Sequence, residues 1–159
     1  QQEKSAFVMM FDHSYSMKGM KIILSAITAA AIAHHFKKDY AVLAFSNQVI
    51  VLKAIDESTG PEEVLKRLFD LELGGDTDTR LVLKEGLNHL AKFEEKKGLL
   101  LTDGAWNRGG NPLEVATRFD QLGVIGFHRQ SVRQSANWLS REMETFRLLK
   151  MRLKLPALF

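Results

Sequence analysis

The stretch Ala6-Phe7-Val8-Met9-Met10-Phe11, followed at once by Asp12-His13-Ser14-Tyr15-Ser16-Met17-Lys18-Gly19, decides how this chain is read. An apolar run of this kind without a polar break fits a strand buried on both faces, as in a parallel sheet. The polar residues begin where that strand would leave the sheet. That is the carboxyl end, where open α/β sheets place their ligands. A carboxylate and two hydroxyls at every second position suggest a hard cation held by oxygen.

Outward from that stretch, Met20 to Phe36 carries apolar residues at 20, 23, 24, 27, 31 and 32, a spacing near 3.6 that predicts a helix packed on the sheet. Asp39–Phe45 and Gln48–Leu52 are two short apolar runs around Ser46-Asn47 and read as a hairpin. Gly60-Pro61-Glu62-Glu63 starts a helix to about Leu71, with proline at the first helical position and acids in the first turn. Gly74-Gly75-Asp76-Thr77-Asp78-Thr79 is an oxygen-rich loop, and Leu83, Leu87, Leu90 and Phe93 behind it recur at helical spacing. Gly98–Gly104 ends abruptly in Asp103-Gly104, as a central parallel strand does when it turns into a loop. Asn111 and Pro112 open another helix, with Glu114 in its first turn. Leu122–Phe127 is the next strand, Ser131 opens a helix to about Met143, and Phe146–Leu149 is a final strand.

This order is a doubly wound α/β plan. It predicts a Rossmann-like, mostly parallel central sheet with one antiparallel edge strand and helices on both faces. The 159 residues suit a single domain, since a chain of this size buries roughly 70% of its unfolded surface. A first residue other than Met fits a processed chain or a fragment of a longer protein. The absence of cysteine excludes disulfides and thiolate zinc sites and fits a reducing compartment. No run approaches the ~18 uninterrupted apolar residues of a membrane span, and Gln1-Gln2-Glu3-Lys4 lacks a signal-peptide pattern. A soluble, cytoplasmic protein is the expectation.

Asp12, Ser14, Ser16, Thr77 and Asp103 all belong to polar loops, and in a parallel sheet such loops gather at one rim. Magnesium prefers six oxygens at about 2.1 Å and usually retains waters. Two carboxylates and three hydroxyls match that preference. Zinc is disfavoured by the lack of sulfur, and calcium would recruit more carboxylates. The competing reading is helix capping and turn formation, which Asp, Ser and Thr favour anyway. His13 is expected to face solvent, Asp78 to serve as a first-turn acid, and His34-His35 to diverge on their helix.

Taken together, Asp12-x-Ser14-x-Ser16-Met17-x-Gly19, Gly74-Gly75-x-Thr77-Asp78-Thr79 and Leu101-Thr102-Asp103-Gly104 resemble the von Willebrand factor A-type domain and its metal-ion-dependent adhesion site (MIDAS). The resemblance covers nearly all of the chain and implies one such domain over residues 1–159. It also implies a magnesium or manganese ion surrounded by Asp12, Ser14, Ser16, Thr77 and Asp103, its coordination completed by an acidic side chain of a protein partner. Intracellular domains of this type often accompany AAA+ ATPases, including chelatase assemblies, so such a partner is an expectation from resemblance. Many relatives have glycine between the two serines. Tyr15 stands there in this chain, either limiting access to the ion or contacting a partner. Asp76 adds negative charge at the rim, and Trp106 follows the Asp103 strand where a partner would arrive.

An ion with few anionic ligands attracts an external carboxylate, so the expectation is adhesion and not catalysis. No His, Glu or Lys has a spacing that sets a general base beside the site. A magnesium-dependent phosphohydrolase is the alternative, with Asp12 as nucleophile. Ser14 stands where the haloacid-dehalogenase-like pattern has its second Asp, and no P-loop or dinucleotide fingerprint is present. Nucleic-acid binding is a third reading. From His128 to Phe159 seven Lys or Arg residues face only Glu142 and Glu144, within a chain of net charge +3. No aromatic platform accompanies them.

Overall fold

The computed structural model describes residues 5–36, 39–72, 74–103 and 108–126. Strand β1 (Ser5–Asp12) is followed by a 3-10 turn (Tyr15–Met17), helix α1 (Met20–Phe36), and the hairpin β2 (Tyr40–Phe45) and β3 (Val49–Lys53). Helices α2 (Pro61–Phe69) and α3 (Thr79–His89) come next, then β4 (Glu95–Thr102), the short α4 (Leu113–Ala116) and β5 (Gln121–Gly126). The sheet order is β3-β2-β1-β4-β5, with every pairing parallel except β2 with β3. The doubly wound plan with one antiparallel edge strand is therefore as the sequence predicts.

β1 is buried at every placed position because it lies between β2 and β4 and is covered on both faces. Val8 and Met10 join Leu43, Leu83, Leu87, Leu100 and Phe119 in one core, beneath α3 and α4. Phe7, Met9 and Phe11 join Val42, Val64, Leu68 and Leu99 in the other, beneath α1 and α2. The period-two alternation of a strand makes this partition, so a one-residue slip would exchange the two cores. From β1 the chain crosses to β2 on one side and returns to β4 on the other. The carboxyl ends of β1 and β4 thus form the switch point at which such sheets open a crevice.

Several local expectations are corrected. Ile23 of α1, expected on the sheet-facing side, is exposed, whereas Ser25, Ala26, Ala29 and Ala33 are buried. α3 ends at His89, so Phe93 is packed from the following turn and not from the helix. β4 begins at Glu95, since pairing of Ser5 with Glu95 and Ala6 with Lys96 continues the ladder past the apolar run. α4 is four residues long, although the Asn111 side-chain oxygen accepts from the Leu113 amide as a cap would. The predicted helix from Ser131, the strand Phe146–Leu149, the basic segment and Trp106 lie outside the described residues.

Candidate metal centre

Asp12 is the last residue of β1, fully buried, and paired in register with Phe45 of β2. One of its carboxylate oxygens accepts from the Ser14 amide at 2.9 Å and from the Ser14 hydroxyl at 2.5 Å. The other accepts from the Thr102 hydroxyl at 2.7 Å, across the seam between β1 and β4. The Ser14 and Ser16 hydroxyls are 3.0 Å apart. Ser14 stands at the N-cap position of the 3-10 turn, yet its side chain makes no capping bond and instead turns inward to Asp12. The capping reading of this stretch is therefore displaced by a cluster of oxygens. Met17, fully buried below, anchors the turn, and Gly19 at φ +85° redirects the chain into α1 in a conformation that favours glycine.

Burial pushes the Asp12 carboxyl above its ordinary value. The hydrogen bonds from Ser14 and Thr102 oppose that shift, and the nearby charge of Asp103 adds to it. Asp103 is buried just past the end of β4. Its carboxylate meets the Lys21 ammonium at 3.2 Å, and the same ammonium donates to the Ser16 carbonyl at 2.9 Å. Two buried carboxylates on adjacent strand ends, ringed by hydroxyls, suit a hard cation and repel each other without one. The donor set fits magnesium or manganese.

Thr77 is buried in the loop that precedes α3. Backbone bonds bring that loop to the rim: Gly74 donates to the His13 carbonyl, Asp78 to the Ser46 carbonyl and Arg108 to the Thr77 carbonyl. Asp78 caps α3, its side chain accepting from the Leu81 amide at 2.9 Å. Thr77 is thus not required as a cap. Gly75 at φ +82° packs against Asn47, and Gly109 at φ +82° against the Asp78 carboxylate, so both loops are tied to their neighbours.

Tyr15 is 67% exposed and its ring lies over Gly74, at the outer edge of the cluster. Asp76 is ion-paired with Arg108 at 3.1 Å. His13 is buried and not solvent-facing, because its backbone bridges Phe45 and Gly74 and draws the residue inward. Burial lowers its pKa. Sequence reasoning gave no role to Thr102 or Lys21. Thr102 carries no local signal, whereas a lysine in the first turn of α1, against the helix dipole, is one.

No protein-family model and no curated protein sequence matches the chain. Solved structures do. Proximal thread matrix protein 1 from the mussel byssus, with a zinc-occupied MIDAS motif, aligns with a TM-score of 0.60 and 20% identity over 77% of this chain and 37% of that one. The manganese-loaded TRAP protein of Plasmodium vivax aligns at 0.66 with 21% identity, over 87% and 62% respectively. An aerotolerance-related membrane protein from Bacteroides fragilis aligns at 0.62 with 13% identity, over 82% and 75%. This chain therefore spans only 37% of the mussel chain and 62% of the Plasmodium chain. Sheet order, crossovers and rim loops together identify the chain as having the fold of the von Willebrand factor A-type domain.

Proposed function

We propose that the domain is a divalent-metal-dependent protein-interaction module whose ion is held by Asp12, Ser14, Ser16, Thr77 and Asp103. The convergence of Asp12, Ser14 and Ser16 into one hydrogen-bonded cluster at the switch point, with Asp103 beside it, carries this reading. When bound, the ion supplies a Lewis-acidic position that an outside carboxylate can complete. Ser14 and Thr102 orient the Asp12 carboxylate, and Met17 fixes the turn that presents Ser16. Tyr15, exposed with its ring over Gly74, and Asp76, paired with Arg108, are the candidate partner contacts on these loops. Zinc in the mussel protein and manganese in the Plasmodium protein support a divalent ion in general, and the all-oxygen donor set favours magnesium or manganese here.

Thermal unfolding tests the reading. At a metal concentration a hundredfold above Kd, Mg²⁺ or Mn²⁺ stabilises the wild type by about 2.7 kcal/mol. Asp12→Ala abolishes the increment; an equal response in that variant would overturn the site. We place the working domain in the cytoplasm, where a cysteine-free chain is at home, with an ATPase assembly as the candidate setting. Cell fractionation and chelator-sensitive co-purification check those two points.

A further inference from the structure

We propose that Lys21 is an internal counter-ion of this site, bridging Asp103 and the Ser16 carbonyl in the metal-free domain and competing with the divalent ion for Asp103. The inference rests on the reading of the rim as a metal centre. Its ground is a contact that joins two separate loops: Lys21 Nζ lies 3.2 Å from the Asp103 carboxylate and 2.9 Å from the Ser16 carbonyl oxygen. The lysine side chain is 17% exposed and that of Asp103 only 2%, so the pair is largely withdrawn from screening water.

The local structure argues against a purely helical reason for this lysine. Lys21 is the second residue of α1, where the positive end of the helix dipole disfavours a cation, and the first turn holds no acid to offset it. The position is unfavourable for the helix and favourable for the carboxylates. A divalent ion that takes Asp103 would meet the ammonium at close range and repel it. The flexible four-carbon stem of lysine allows the head group to swing out while the backbone of α1 stays in place. Once displaced, the ammonium remains at the rim. Two carboxylates facing a dication and an ammonium leave one positive charge in excess. A partner's carboxylate is the natural acceptor of that charge, so Lys21 would link loading of the ion to capture of an acidic partner.

Manganese titration of the full 159-residue chain by calorimetry tests the inference, with wild type, Lys21→Met, Lys21→Gln and Lys21→Arg compared. Lys21→Met and Lys21→Gln should bind Mn²⁺ about tenfold more tightly, as expected for removal of a part-buried positive charge beside the site, and Lys21→Arg should stay near wild type. Unchanged or weaker binding in the folded neutral variants overturns the inference and leaves the metal centre intact. Binding in neither wild type nor the neutral variants overturns both. A readout that needs no neutral variant is the lysine ¹³Cε resonance of the wild type, assigned by its loss in Lys21→Arg. It should move on addition of Mg²⁺, and a resonance that stays fixed while the ion binds overturns the inference.

Discussion

Lys53 and Lys21 lie at opposite ends of one sheet, each largely withdrawn from water and each held by different chemistry. Lys53, at the amino end of the parallel strands, donates to the carbonyls of Tyr40 and Ala54 at 2.8 and 3.0 Å and sits 4.3 Å from the centre of the Tyr40 ring. Burial lowers its pKa, and Glu57, Asp39 and Asp56 pull it back from a distance. Backbone carbonyls and a ring face have no competing cation to receive, so this lysine is part of the frame. Lys21, at the carboxyl end, contacts a carboxylate that is also a candidate metal ligand. The same charge that is structural at one end is exchangeable at the other, and the difference lies in the partner.

The largest test of that contrast is Lys53→Ala. It strips a buried stem and leaves two carbonyls short of a donor, so about 3 kcal/mol of stability should be lost in chemical denaturation. Manganese affinity should not change; a coupled loss of both would merge the two ends into one network. Gly109→Ala comes next. Its Cβ would lie 2.0 Å from the Asp78 carboxylate at a φ of +82°, so about 2 kcal/mol of destabilisation is expected, together with weaker manganese binding because the Thr77 loop must shift. Stability unchanged in urea would show that the loop moves freely.

Asp12→Asn should act in opposite directions in the two ligation states. Because burial raises the Asp12 pKa, its contribution to metal-free stability is present below its ordinary value of 3.8 and is lost as pH rises through the raised value. The amide variant carries no charge to bury, so metal-free unfolding at pH 7 should be less favourable than in the wild type. The metal increment should vanish. The smallest effect belongs to Glu57, at the Lys53 end. Its carboxyl is held down to about 2 by the Thr59 hydroxyl, Arg67 and the Ala54 amide. The stability it supplies is present above 4.5 and fades as pH falls toward 2, so Glu57→Gln should lower the neutral plateau of an unfolding curve slightly and flatten its acid limb, leaving stability near pH 2 unchanged.

The order of elements and three rim loops were legible in the chain because they depend on local patterns. An unbroken apolar run leading into Asp12 announces a central strand, and Asp12, Ser14, Ser16, Thr77 and Asp103 stand at or just past strand ends or just before a helix. Less legible was the state of individual side chains within those loops. Nothing near His13 signals its burial, which follows from bonds to Phe45 and Gly74. Asp76 reads as bare negative charge until Arg108 is brought beside it.

By itself, the sequence determined the alternation that splits β1 between two cores, the antiparallel hairpin, and the oxygen-rich composition of the rim. These follow from the periods of strand and helix, which act over a few residues. Only the tertiary structure decided that the Thr102 hydroxyl secures Asp12 across 90 positions and that Lys21 reaches Asp103 across 82. Strand order sets such meetings, and strand order emerges from packing both faces of the sheet at once.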